Sequence, residues 1–292
     1  MLKKILNKIL KITAKLWDDK TYIKVKYRIL MGKSLNLDCP ILFQEKLNWL
    51  KLYYRRNDLG KFVDKYEVKK YIEQTIGKKY VVPYIGVWNH FDEIDFNKLP
   101  NQFVLKCTHD SGSYCICKDK ASFDIKKARK RINKGMRREY FYAEREWPYR
   151  LCSPRILAEE LLIDNKSSDL IDYKFFCFNG EPKFMYISSD ISENATTDFF
   201  DMDFQHLNMR MKDPNSEILP QKPKYFEEMK SLAKILCKDF PHVRIDFYVV
   251  NDQIYFGEFT FFHNGGFQKI YPEEWNKILG DWILLPSSKC SS

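Results

Sequence analysis

Residues 243–267 read VRIDFYVVNDQIYFGEFTFFHNGGF, two runs rich in Val, Ile, Phe and Tyr on either side of Asn251, Asp252 and Gln253. That pattern predicts two paired strands around a polar break. A hairpin leaves its side chains little freedom, because they alternate with period two and the register decides which of them share a face. A loop made of the three polar residues sets Asp246 opposite Glu258 and Arg244 opposite Thr260, all on one face. A two-residue turn would send Glu258 to the other face, so a shared face demands an odd-length loop or a bulge.

Two carboxylates facing each other across strands repel by about 0.2–1 kcal/mol unless a cation lies between them. Mg2+ suits such a pair, since it takes one or two carboxylates together with phosphate oxygens and water. An adjacent arginine would grip a phosphate oxygen through its planar fork. The plainer alternative is that Arg244 neutralises Asp246 and Glu258 on a solvated face, and the hairpin alone leaves both readings open.

A chain of 292 residues that is 45% hydrophobic can bury a substantial core, enough for one large domain or two modest ones. Its 49 Lys and Arg against 39 Asp and Glu favour an anionic partner, although a lysine-rich composition raises the charge without any function. The eight cysteines form no CxxC pair and show no metal spacing with histidine. Most lie among apolar neighbours, as free thiols of a reducing compartment do. There is no secretory signal and no run of 18 apolar residues, so the expected location is the cytoplasm.

Residues 2–16 place Leu2, Ile5, Leu6, Ile9, Leu10 and Leu16 at helical spacing among Lys3, Lys4, Lys8, Lys11 and Lys15. Such a basic amphipathic helix either packs its apolar side on the domain or makes peripheral contact with the inner face of an anionic membrane. Helical patterns continue to Arg56, and residues 61–76 read as one further helix that ends at Gly77. The basic stretch 124–146 is either a solvated helix face or a polyanion contact. Asp172–Phe178 and Pro182–Ser188 predict a hairpin around Asn179-Gly180.

Several chemical groups remain. Lys106 lies in a strand predicted over Phe103–Cys107, which runs into Thr108-His109-Asp110-Ser111-Gly112-Ser113. Backbone N–H groups of a Ser/Gly loop can approach phosphate closely, and lysine adds a point charge. The loop lacks the spacing of a P-loop, and an ordinary hairpin turn is its alternative. Lys174 shares a strand face with Asp172, and Glu159-Glu160 closes an otherwise apolar strand. Cations for phosphates and polar edges for a base are parts that a nucleotide site needs.

In this order, DKYEVKKYI, FVLKCTHDSGS, ILAEELL, DYKFFCFNGEPKF and VRIDFYVVNDQIYFGEFTFF resemble the TupA-like ATP-grasp family, over about Tyr22 to Pro286. The resemblance implies an α+β ATP-grasp fold, two subdomains holding ATP between them, with a helical N-terminal extension. The expected divisions are 1–60 for the extension, 61–160 and 161–286 for the subdomains, and a disordered tail at 287–292. It implies ATP and Mg2+ as cofactors, with Lys106 and Lys174 on phosphates and Ser111, Gly112 and Ser113 covering them. Glu159, Glu160 and Leu162 would border adenine, Arg244 would meet the transferred phosphate, and Asp246, Glu258 and Thr260 would hold the metal. Thr260 stands where the wider superfamily commonly has Asn, and His263 where the family often has proline.

The implied activity is a carboxylate-amine ligase working through an acyl phosphate. It is expected to amidate a uronic acid in capsule or other bacterial cell-surface polysaccharide biosynthesis, with a uronate-containing sugar and a small amine as partners and no nucleic acid. The rival reading is a glycosyltransferase, because Asp201-Met202-Asp203 is a DxD that can hold a divalent ion and a sugar nucleotide.

Overall fold

The computed structural model describes residues 2–165, 170–189 and 195–286, so the expected tail at 287–292 lies outside the described residues. The chain is α+β. Two antiparallel sheets follow one another in sequence. The smaller runs β1-β4-β2-β3, from β1 (Tyr84–Trp88), β2 (Phe103–Cys107), β3 (Tyr114–Cys117) and β4 (Ile156–Glu160). The larger runs β7-β6-β5-β8-β9, from β5 (Asp172–Phe178), β6 (Glu181–Ser189), β7 (Thr196–Asp201), β8 (His242–Val250) and β9 (Gln253–Thr260).

Helices α1 (Leu2–Ile12), α2 (Asp19–Met31) and α3 (Phe43–Tyr53) precede the sheets. Asp18 caps α2 by accepting the Thr21 N–H, and Gly32 ends it at φ 81°, a left-handed conformation that glycine adopts without steric cost. The single helix expected over 61–76 is two, α4 (Leu59–Val63) and α5 (Glu67–Thr75). Asp64 breaks the run, because its carboxylate accepts the Tyr66 and Glu67 N–H groups at 2.9 and 3.0 Å and starts a new helix. Likewise the basic stretch divides into α6 (Ile125–Met136) and α7 (Phe141–Glu144).

Two apolar cores correspond to the two sheets. Phe103, Leu105, Cys107, Ile132 and Ile156 belong to the core between the smaller sheet and α6. The larger core joins Phe175, Ile245 and Phe259 with α8 (Phe226–Cys237) and α9 (Glu274–Asp281). Phe226, Met229, Ala233 and Leu236 of α8 recur every three or four residues and are buried, so one helical face covers the sheet. Phe62, Val68 and Ile72 of α4 and α5 also join this larger core.

The β5–β6 and β8–β9 hairpins close with two-residue turns. Asn179 and Gly180 have φ of 48° and 81°, and Asn251 and Asp252 have 49° and 64°. Positive φ at both central positions matches the right-handed twist of the strands. The β8–β9 loop is therefore one residue shorter than the three polar residues suggest.

Candidate functional site

A bulge restores the face that the short turn would have lost. Val250 pairs with Gln253 and Phe247 with Phe256, yet beyond Asp246 the pairs are Ile245 with Phe259 and Arg244 with Thr260. Gly257 and Glu258 thus oppose the single residue Asp246, which is the pattern of a β-bulge. A Cβ at Gly257 would stand 2.9 Å from the Tyr248 ring and 3.1 Å from the Asp246 carbonyl oxygen, so the bulge has room for glycine.

Arg244, Asp246 and Glu258 now meet. The guanidinium donates to both Asp246 oxygens, Nε at 2.7 Å and Nη2 at 2.6 Å, and Nη2 also reaches Glu258 Oε1 at 2.9 Å. Its Nη1 lies 2.9 Å from His263 Nδ1. From β5, in register with Asp246, Lys174 Nζ sits 2.9 Å from Asp246 and 3.0 Å from Asp172. Burial alone would raise the Asp246 pKa, but Arg244 and Lys174 outweigh it and hold the carboxyl below its usual range. Burial, Arg244 and His242 together keep His263 neutral, well below the ordinary histidine pKa.

The smaller sheet supplies the opposite wall. Along β2, Phe103, Leu105 and Cys107 are buried in the core while Val104 and Lys106 face a cavity of about 430 Å³. Its polar lining includes Lys65, Lys69, Lys106, Asp110, the Ser111–Ser113 loop, Glu159, Glu160 and Glu258, and its apolar lining includes Val68, Val81, Leu161, Leu162 and Phe256. Chain from both sheets therefore borders one space, and Glu258 belongs both to it and to the Arg244 cluster.

The Ser/Gly loop is held from behind. Arg138 Nη1 donates to the Ser111 carbonyl at 3.0 Å and Arg131 Nη2 to the Gly112 carbonyl at 3.3 Å. In trans peptides this turns the Gly112 and Ser113 N–H groups away from the two guanidiniums. Gly112 has φ 96°, which disfavours a side chain there. Of the expected basic face, then, two arginines brace a loop, and Arg129 pairs with Asp92.

Glu159 and Glu160 part company. The Glu159 carboxylate is buried and pairs with Lys69 at 2.7 Å and with Lys106. Burial opposes its charge, yet Lys106 and Lys69 still lower its pKa. Glu160 is exposed at the cavity wall and its N–H donates to the Pro83 carbonyl at 3.1 Å. Leu162 lies in the cavity wall, in the segment that leads from β4 to β5.

One cation escapes a reading of the sequence as a continuous helix. Lys65 stands in the Asp64 break, its N–H bonded to the Thr108 carbonyl at 3.0 Å and its ammonium to the Asp110 carbonyl. It lines the cavity, and burial lowers its pKa against the pull of Asp110 and Glu258. The signal was legible, since Asp64 followed three residues later by Glu67 is a helix start within the helical run.

Mg2+ fits this oxygen set in part. Glu258 is 52% exposed at its side chain, lines the cavity and is a hard donor. Both Asp246 oxygens are already engaged by Arg244 and Lys174. Thr260 Oγ1 donates to Glu258 Oε1 at 2.9 Å and so orients that carboxylate. Among the described residues no three His, Cys, Asp or Glu side chains converge as a metal cluster, so any ion held here would take further ligands from phosphate and water. The DxD has a local use, with Asp201 Oδ1 accepting the Asp203 and Gln205 N–H groups at 2.9 and 2.8 Å to close the turn after β7.

Two sheets bordering a cavity lined with lysines, a Ser/Gly loop and a carboxylate are the parts of an ATP-grasp protein. The TupA-like ATP-grasp family profile matches residues 45–284, and the chain belongs to that family. None of the curated proteins matches its sequence. Among solved structures it is similar to D-alanine–D-alanine ligase from Bacillus anthracis complexed with ATP, at 15% identity and TM-score 0.42, covering 69% of this chain and 55% of that one. The corresponding Helicobacter pylori ligase gives 14% and 0.42 over 83% and 69% of the two chains. N5-carboxyaminoimidazole synthase from Aspergillus clavatus gives 11% and 0.40 over 70% and 46%. The chain thus spans little more than half of the Bacillus anthracis enzyme.

Proposed function

We propose that the protein is an ATP- and Mg2+-dependent carboxylate-amine ligase that amidates a uronic acid during assembly of a bacterial cell-surface polysaccharide, in the cytoplasm. One observation carries the nucleotide part of this reading. Lys65, Lys106 and the Ser111–Ser113 loop on one side, and Glu258 on the other, border one cavity, with Arg244 bonded to Glu258.

In this reading the Gly112 and Ser113 N–H groups, Lys65 and Lys106 take phosphate oxygens, while Val68, Val81 and Leu162 flank the adenine. Lys106 can do so because Glu159 fixes its position, and Glu160 borders the same cavity beside Leu161 and Leu162. Mg2+ held at Glu258, steadied by Thr260, would neutralise charge on the phosphates. Asp246 would join it once Arg244 turns from Asp246 to the transferred phosphate. Lys174 would then keep Asp246 charged and add a second cation beside the same phosphate.

The chemistry balances without a side-chain nucleophile. A uronate oxygen attacks the γ-phosphorus, the bond to the β-phosphate oxygen breaks, and ADP leaves with that electron pair. An amine then attacks the acyl carbon, phosphate departs, and the amine's proton passes to solvent. Arg244, Lys174 and Lys106 act by position and charge, which is the main demand of phosphoryl transfer.

Incubation with ATP, Mg2+ and a panel of uronates and amines tests the reading. Formation of ADP and phosphate that requires both a uronate and an amine is the expected result. Release of UDP from a sugar nucleotide without ATP consumption would instead establish the transferase.

A further inference from the structure

Helix α1 turns its apolar side away from the protein. Leu2, Ile5, Leu6, Ile9 and Ile12 are 68, 45, 40, 53 and 74% exposed. At the α-helical turn of 3.6 residues they fall within an arc of about 120°. Leu16 and Trp17, just beyond the helix, are exposed as well.

The attachments lie on the opposite side. Leu10 and Ala14 are buried in a small cluster with Tyr22, Ile23 and Tyr27. Lys11 pairs with Glu144 at 3.5 Å, and Lys15 pairs with Glu139. The direction of the apolar stripe is therefore set by contacts with the rest of the chain. Single exposed leucines are ordinary, whereas a continuous apolar stripe marks a surface that meets something.

Charge selects the occupant. The helix sequence LKKILNKILKI contains no acidic residue. Lys8 lies about 40° and Lys4 about 80° beyond Ile12 at one edge of the stripe, and both are exposed. Two copies of this helix packed stripe to stripe would bring those lysines together, which costs energy, whereas an anionic bilayer offers acyl chains for the stripe and phosphates for its edge. No helix among the described residues is long and apolar enough to cross a membrane, so the contact would be in the plane of the surface.

We propose that α1 is an in-plane anchor that seats Leu2, Ile5, Leu6, Ile9 and Ile12 in the surface of an anionic phospholipid bilayer, with Lys4 and Lys8 at the headgroups. The helix lies outside the family match at residues 45–284, and the inference does not depend on the ligase reading.

Co-sedimentation of the full chain with vesicles tests it, using phosphatidylcholine alone and phosphatidylcholine rich in phosphatidylglycerol. The wild type is expected to sediment with the anionic vesicles and not with the neutral ones. Lys4→Gln with Lys8→Gln should weaken partitioning about 25-fold, at about fivefold per surface lysine. Ile5→Glu with Ile9→Glu should abolish it while leaving the thermal melting temperature unchanged, because both positions are exposed. Failure of the wild type to sediment with anionic vesicles, or undiminished sedimentation of the glutamate variant, overturns the anchor. So does a wild-type dimer that this variant converts to monomer without any vesicle binding, since a second copy would then cover the stripe.

Discussion

Arg244 grips Asp246, its neighbour two residues along β8, with Nε at 2.7 Å and Nη2 at 2.6 Å from the two carboxylate oxygens. Strand alternation puts the two on one face, and burial removes most of the water that would compete. A lysine cannot reproduce the planar fork. Arg244→Lys is predicted to leave the protein folded but to lower turnover by roughly 100-fold, the scale of losing an oriented charge at a transition state. Steady-state ADP formation measures it, and wild-type turnover would remove Arg244 from the chemistry.

The bulge at Asp246 makes a structural demand on Gly257. Gly257→Val is predicted to destabilise the protein by about 1–3 kcal/mol, because the added carbons meet the Tyr248 ring and the Asp246 carbonyl. Urea unfolding followed by circular dichroism gives the difference. An unchanged midpoint would mean that the hairpin accommodates a side chain there.

Lys65 stands in the cavity wall at the α4–α5 break. Lys65→Met removes its charge yet keeps the backbone bond to Thr108. The predicted loss of nucleotide affinity is about 10- to 100-fold, since a hydrogen bond to a charged group contributes about 1.5–3 kcal/mol. Calorimetric titration with MgATP measures it, and equal affinity in the variant would assign Lys65 to holding Asp110 alone.

Acid stability has a defined sign. Burial lowers the His242 pKa to about 3, while in the unfolded chain it would titrate near its ordinary value of 6.5. Below pH 6.5 the unfolded state therefore binds a proton that the folded state refuses. Stability should fall with pH from 6.5 toward 3, by about 1.4 kcal/mol per pH unit for each such histidine, and His263 shifts in the same direction. Urea unfolding at several pH values gives the slope, and His242→Asn should make it shallower. An identical slope would contradict the buried neutral imidazole.

Much of the site could be read from residue order, because strand alternation is local. Period-two spacing put Lys174 beside Asp172 and Arg244 beside Asp246, and the structure has both pairs. An odd-length loop and a bulge both satisfy the sequence, and the structure has the bulge, since Asn251 and Asp252 both adopt positive φ and close the turn without Gln253. Only a bulge, whose position depends on packing of Gly257 against Tyr248, brings Glu258 back to Arg244. The pairing of Glu159 with Lys69 and Lys106 was hidden for another reason. It joins α5, β2 and β4, and no local pattern reports contacts among elements so far apart in the chain.

Direct titration of MgATP into the purified protein tests the central claim, that the space between the sheets is a nucleotide site. The account predicts saturable binding at one site, lost in Lys106→Ala, and a dependence on Mg2+ that disappears in Glu258→Gln. An absence of binding, or binding that neither substitution alters, would contradict it.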